Sequence, residues 1–405
     1  MTAVVTGLGA LTPLGPDAES LHRGLLAATS GVGLLEGGEF DALPTRLAAT
    51  VARENVEGRL ERTAARTVER VQHLALIAAR EAWEQAKAQD VTDPARVAVV
   101  LGTAVGGIAA LPGQTLLVEE HGPRRVSPYL MSALMPNASA ASVALHLGVH
   151  GGARTTASAC ASGAEAVAFA LELLETGQAD VVIAGGAESC VHPMTLAGFA
   201  QLRALSRRVD EPASASRPFD TARDGFVLGE GAAVLVLERP EHAAARGAEV
   251  LGRVLGAGIT SDAHHLIAPD PEGAQAARSI GLALRAAGLT PADIGHVSSH
   301  GTATPAGDLA EARALNRALG GERPPVTAVK SCTGHLLGAS GAVEAVAALL
   351  ALRDGVVAPI RNLDDPDPGA DLDLVTGRPR PVGRGAALST SFGFGGHNVS
   401  LVLAR

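Results

Sequence analysis

Four short segments of this 405-residue chain set nucleophilic and proton-handling side chains among small residues. The first is Thr155-Thr-Ala-Ser-Ala-Cys160-Ala-Ser-Gly-Ala-Glu-Ala-Val167. β-prone residues precede Cys160 and a helical pattern follows it, so the thiol is expected at a strand-to-helix turn. The positive end of a helix there lowers a thiol pKa and favours the nucleophilic thiolate. A single cysteine is also commonly a small buried hydrophobe, and this segment alone leaves both readings open. The second segment, Ser298-Ser-His300-Gly-Thr-Ala-Thr-Pro-Ala-Gly-Asp308, presents an imidazole from a loop. The third is Val329-Lys330-Ser-Cys-Thr-Gly-His335-Leu-Leu-Gly-Ala-Ser-Gly341. Only Lys87 and Lys330 are lysines among the 33 basic residues, so a lysine here suggests work that needs a compact ammonium. The fourth, Ser391-Phe-Gly-Phe394-Gly-Gly-His-Asn398, has glycines that let backbone N–H groups approach a ligand and let the loop move.

Alternating strand and helix signals must position these segments, which argues for an α/β protein. Residues 3–6 read as a short strand ending at Gly7, residues 67–89 as an amphipathic helix, and residues 97–102 and 180–185 as buried strands. Residues 207–223 and 364–384 read as polar loops. An internal echo suggests duplication. Gly229-Glu-Gly-Ala-Ala-Val-Leu-Val-Leu-Glu238 resembles Gly395-Gly-His-Asn-Val-Ser-Leu-Val-Leu-Ala404. Upstream, Ser158-Ala-Cys160 opens one helix and Ser331-Cys332 opens another, running on to Arg353. The expected join lies near residues 240–249, giving halves 1–245, with the nucleophile, and 246–405, with both histidines and the lysine.

Composition narrows the function classes. Hydrophobic residues make up 47% and aromatics 2%, so a large core must be built from Ala, Val and Leu. The net charge is −9 and no basic, aromatic-interleaved patch appears, which argues against nucleic-acid binding. Cys160, Cys190 and Cys332 form neither a disulfide framework nor a metal spacing, so a reducing, cytoplasmic setting is expected. The first residues lack a basic n-region, no long apolar run suggests a membrane span, and no metal site is expected at His264 and His265. Gly7-Leu-Gly9 is set aside as a dinucleotide loop because Thr12 replaces the third glycine.

Together with Thr6-Gly-Leu-Gly-Ala-Leu-Thr-Pro-Leu-Gly15 and Arg217-Pro-Phe-Asp-Thr-Ala-Arg-Asp-Gly-Phe-Val-Leu-Gly-Glu-Gly231, the four segments resemble the β-ketoacyl-acyl-carrier-protein synthases. The resemblance is to their elongating branch and spans nearly the whole chain. It implies the thiolase fold, a duplicated αβαβα architecture in five layers. It implies Cys160 as acyl-carrying nucleophile, His300 and His335 as its catalytic partners, and Lys330 paired with Glu344. Phe394 matches a gating phenylalanine whose backbone N–H completes an oxyanion hole with that of Cys160. Asp308 matches the acid closing the His-Gly-Thr loop. Thr302 and Thr304 match threonines that hold a phosphopantetheine arm, and Val105, Phe199 and Asn398 are implied to contact substrate. Val105 stands where a bulkier isoleucine is common, which suggests room for a medium or long chain.

The implied reaction is decarboxylative condensation of an acyl thioester with malonyl-acyl carrier protein in fatty-acid elongation. No bound cofactor is implied, the phosphopantetheine being the carrier's. The implied partners are that carrier and either a second copy of the chain or a catalytically inactive homologous subunit. An acidic enzyme that meets an acidic carrier needs local basic patches. Arg62 with Arg66, and Arg203 with Arg207 and Arg208, are the candidates. A type II polyketide or polyene ketosynthase is the alternative. A non-catalytic chain-length partner is disfavoured by retention of Cys160, His300 and His335. A coenzyme A thiolase is disfavoured because Gly395-Gly-His-Asn398 stands where a second cysteine would be needed.

Overall fold

The computed structural model describes residues 2–60, 68–89, 92–383 and 385–405. Arg62, Arg66 and the first residue of the expected 67–89 helix lie outside the described residues; the helix itself runs Arg70–Ala86.

Ten strands form the main sheet: β1 (Ala3–Leu11), β2 (Val97–Gly102), β3 (Ala153–Thr156), β4 (Val181–Glu188), β5 (Gly231–Glu238), β6 (Gly252–Ser261), β7 (Ile294–Ser298), β8 (Val326–Thr327), β9 (Ala386–Gly393) and β10 (His397–Ala404). Their order is β8-β7-β9-β10-β6-β1-β5-β4-β2-β3. Outward from the β6–β1 join, the two sides repeat one pattern. First, middle and last strands correspond, and two antiparallel pairings are followed by two parallel ones on each side. Only Ala3, Val4 and Val5 pair across the join. The echo between residues 229–238 and 395–404 is thus β5 facing its counterpart β10.

Six helices supply the other layers: α1 (Arg70–Ala86), α2 (Ala138–Leu147), α3 (Ser162–Glu175), α4 (Ala274–Ala287), α5 (Pro305–Leu319) and α6 (Ser340–Asp354). Helices α3 and α6 lie between the two sheet halves in one apolar cluster with residues of β1, β5 and β10. Helices α1 and α2 cover the outer face of the first half, and α4 and α5 that of the second. Strand β5 shows why both faces must be apolar: Ala233, Leu235 and Leu237 point to α3 and α6, while Ala232, Val234 and Val236 point to α1. Helix α6 is buried on all sides from Ser340 to Leu352, so a carboxylate within it, Glu344, needs a special partner.

Two local expectations are corrected. Strand β1 does not end at Gly7 but continues to Leu11. A Cβ at Gly7 or Gly9 would stand 2.0 Å from the carbonyl oxygen of Ala82 or Ala78 in α1, so these glycines allow close helix packing within the strand. The second correction concerns the echo upstream. The helix at Ser331 stops after Thr333, and α6 is entered through a separate turn, Leu337–Ala339. That turn corresponds to Ala159–Ala161 before α3, and both open with a non-glycine residue at positive φ, Ala159 at 52° and Leu337 at 43°. Cys160 therefore has Gly338 as its counterpart, not Cys332. Among the described residues, no helix is long and apolar enough to cross a membrane.

Candidate active site

The four sequence segments converge on one cavity of about 360 Å³ whose wall includes Cys160, His300, His335, Thr302, Thr304 and Phe394. Cys160 sits in the middle of the Ala159–Ala161 turn between β3 and α3, 8% exposed. Gly393 is required beside it, since a Cβ there would stand 2.5 Å from the Ser158 carbonyl oxygen. That close approach brings the 393–396 loop beside the thiol, where the backbone N–H groups of Phe394 and of Cys160 itself act to lower its pKa.

Both imidazoles are buried and held well below the ordinary histidine pKa, first by desolvation and then by the Lys330 charge. Their hydrogen bonds select the tautomer. Lys330 Nζ lies 3.2 Å from His300 Nδ1 and donates to the His300 carbonyl at 2.7 Å. An ammonium can only donate, so Nδ1 accepts and the ring proton resides on Nε2. The Leu337 backbone N–H donates to His335 Nδ1 at 3.3 Å, with Ser340 Oγ 3.0 Å away, and imposes the same tautomer. Two neutral Nε2–H donors result. Lys330 is itself neutralised by a buried hydrogen-bonded pair with Glu344.

Supporting groups fix the loops. Asp308 accepts from the Phe219 and Ala303 N–H groups at 2.7 and 3.1 Å, beside Arg223, and so closes the 301–304 loop. Thr302 and Thr304 join their hydroxyls at 2.9 Å. Phe199 stands 6.3 Å from the Phe394 ring. Asn398 lines the wall and donates its amide to Asp262 at 2.6 Å. Val105 lies outside the cavity wall, in the apolar cluster that also holds Cys160, Cys190, Phe226 and Leu337. Arg203 reaches the cavity wall, whereas Arg207 is exposed with its N–H on Asp224.

Sequence reasoning missed two buried carboxylates. Glu311 accepts from the His300 and Gly301 N–H groups at 2.7 and 2.8 Å and from Thr390 Oγ1 at 2.7 Å. Its only sequence signal is its place one helical turn after Asp308. Glu188 ends the otherwise apolar β4, an unusual place for a charge.

The expected lowering of the thiol pKa is corrected. Burial pushes Cys160 up to about 12, with Glu188 adding to the rise, and the Lys330 charge and the two N–H groups only partly offset it. Alkylation of Cys160 by iodoacetamide should therefore be slow at pH 7 and rise about tenfold per pH unit to pH 10 without a plateau. Peptide mapping by mass, which separates Cys160 from the buried Cys190 and Cys332, reads this directly. A plateau near pH 8 would show a thiolate already formed.

Residues 2–243 match Beta-ketoacyl synthase, N-terminal domain, and residues 251–364 match Beta-ketoacyl synthase, C-terminal domain. The chain belongs to the beta-ketoacyl synthase family. It is 46% identical to 3-oxoacyl-[acyl-carrier-protein] synthase 2 of Mycobacterium bovis, over 99% of this chain and 97% of that protein. It is 41% identical to the protein of the same name from Synechocystis, with the same coverage. A beta-ketoacyl synthase crystal structure from Burkholderia phymatum superposes with a TM-score of 0.93 at 36% identity, covering 100% of this chain and 99% of that one. A type II polyketide acyl-carrier protein in complex with its ketosynthase superposes at 0.92 with 29% identity and the same coverage.

Proposed function

We propose that this chain catalyses decarboxylative condensation of an acyl thioester with malonyl-acyl carrier protein, giving β-ketoacyl-carrier protein in fatty-acid elongation. The observation that carries this is one cavity lined by the Cys160 thiol, by Phe394 and by two neutral imidazoles whose Nδ1 atoms are engaged, which leaves both Nε2–H groups to donate. In the first half-reaction the Cys160 sulfur attacks the acyl thioester, the N–H groups of Cys160 and Phe394 hold the oxyanion, and the thiol proton leaves with the phosphopantetheine thiol. In the second, malonyl loses carbon dioxide and its thioester oxygen becomes an enolate. His300 and His335 donate to that oxygen. The enolate carbon attacks the acyl-Cys160 carbonyl, and collapse returns the electrons to the Cys160 sulfur, which is then protonated. One oxyanion donor is worth about 10²–10³ in rate in acyl-transfer enzymes.

Thr302 and Thr304 are the proposed contacts of the phosphopantetheine arm, Phe199 and Asn398 line the acyl entrance with Phe394, and Val105, in the apolar cluster beyond the cavity, is the proposed contact for the far end of a longer chain. Arg203, with Arg207 nearby, is proposed to meet the carrier. The division into halves 1–245 and 246–405 is the proposed domain arrangement, supported by the repeated strand order. Intact mass after exposure to acyl-acyl carrier protein tests the reading: an acyl adduct is expected on the wild type and not on Cys160→Gln.

The proposed assembly is a homodimer through the free edge of β3. The helix α2 that packs against β3 carries Leu145, 85% exposed, an apolar side chain that a partner subunit would cover. Leu145→Arg should sediment as a monomer where the wild type sediments as a dimer. The alternative, a type II polyketide ketosynthase working with a chain length factor, draws on the solved ketosynthase/chain length factor of ishigamide, at 31% identity. It predicts no condensation by this chain alone. The higher identity to the elongating synthases favours the first reading.

A further inference from the structure

Glu188 joins two parts of the site that are far apart in sequence. Its side chain is fully buried. Oε1 accepts from Thr103 Oγ1 at 3.0 Å and from the Val105 N–H at 3.4 Å. Oε2 accepts from the Ala104 N–H at 2.6 Å and from the Gly338 N–H at 3.1 Å. Four donors, none of them a cation, converge on one carboxylate. Burying a charge on neutral donors alone is costly. A neutral amide could accept at one oxygen only and would turn its own N–H groups toward the remaining donors.

The two clamped segments have different tasks. Ala104 and Val105 pack with Cys160, Phe226 and Leu337 in the apolar cluster behind the thiol. Gly338 lies in the Leu337–Ala339 turn, whose Leu337 N–H sets His335 Nδ1. The backbones touch, since a Cβ at Gly338 would stand 2.4 Å from the Ala104 nitrogen. The strand end that carries Glu188 is packed as tightly, because a Cβ at Gly186 would stand 2.6 Å from the Gly338 oxygen. Close-packed backbone with no slack transmits a displacement. Leu337 is held at positive φ, a strained conformation that the surrounding packing imposes on its turn.

We propose that Glu188 is a positioning residue for the condensation: it transmits the seating of an acyl chain against Val105 to the turn that orients the His335 ring. This rests on the function proposed above. Without the clamp, a long chain still loads on Cys160, but the His335 donor is no longer brought into register for the enolate. A short chain never reaches the cluster around Val105, so its reaction depends little on the clamp.

The test compares wild type, Glu188→Gln and Thr103→Val on acyl-carrier proteins from acetyl to hexadecanoyl. Intact mass reads loading, and steady-state rates read condensation with malonyl-carrier protein. Thr103→Val removes one of the four donors and serves if Glu188→Gln does not fold. The expected result is normal loading with unchanged KM. In Glu188→Gln, kcat falls about 10–100-fold for the longest chains and less than about threefold for acetyl. Thr103→Val should follow the same chain-length trend with smaller losses. Equal losses at every length, as a merely structural role gives, or no loss at all, would overturn the proposal. Absence of an acyl adduct on the wild type is a distinct outcome, which removes the underlying reading and this proposal with it.

Discussion

Cys160→Ala should abolish condensation while leaving malonyl decarboxylation measurable. The sulfur is the acyl carrier in the proposed reaction, and loss of a covalent nucleophile removes the whole first half-reaction. Condensation should fall by at least about 10⁴-fold, the scale seen when a nucleophile is deleted from an acyl-transfer site. Decarboxylation draws on other groups. The two Nε2–H donors are set by Lys330 and by the Leu337 N–H, neither of which touches the Cys160 side chain in a hydrogen bond. Carbon dioxide release from malonyl-acyl carrier protein, followed beside β-ketoacyl product, separates the two steps. Equal loss of both would show that the thiol also serves the decarboxylation, and would refute the division of labour argued from these hydrogen bonds.

Lys330→Ala should damage both stability and rate. Lys330 is 1% exposed and its ammonium meets Glu344 and the His300 backbone and ring. Removing it leaves a carboxylate inside α6 with no cation, which typically costs about 3–5 kcal/mol. It also frees His300 Nδ1, so the ring loses the contact that keeps its proton on Nε2, and decarboxylation should fall about 10²–10³-fold. The pH dependence follows from Glu344. Burial pushes that carboxyl up to about 7 even with Lys330 present, and removing the ammonium raises it further. A raised carboxyl pKa means the folded chain keeps a proton that the unfolded chain releases. Its stabilising contribution is full below about 4.5 and is lost as pH rises through the folded value. The melting temperature of Lys330→Ala should thus lie nearest wild type around pH 5 and fall away from it above pH 7. Replacing both partners, as in Lys330→Met with Glu344→Leu, should recover most of the stability and none of the rate. A double variant that recovers activity would show that the pair is only a packing device.

Much of the candidate site was legible because its chemistry is local. Cys160 before a helix, His300 before Gly301, and Lys330 five residues before His335 are patterns in which residue type and glycine placement already restrict what the chain can do. The α/β class followed from alternating patterns, and the duplication from the matched strands β5 and β10. Register within the repeat was not legible. Cys332 resembled a second opening of a helix, yet the true counterpart of Cys160 is Gly338, because the matching feature is a turn with positive φ and not a residue type.

The sequence by itself determined which side chains are available for thioester chemistry, the order in which they occur and the layered class of fold that carries them. Only the tertiary structure decided their protonation and their coupling. A helix N-terminus alone predicts a thiolate at Cys160, but enclosure by both halves of the fold desolvates the sulfur and reverses the direction. Both imidazoles take the same tautomer because of donors that reach them through folded turns and from Lys330, 30 residues away from His300. Glu188 holds Ala104 from 84 positions away and Gly338 from 150. Contacts at such separations leave no periodicity in a single chain. Burial and long-range hydrogen bonding are properties of the packed layers, and it is these that set the charge and orientation of groups whose identities were already plain.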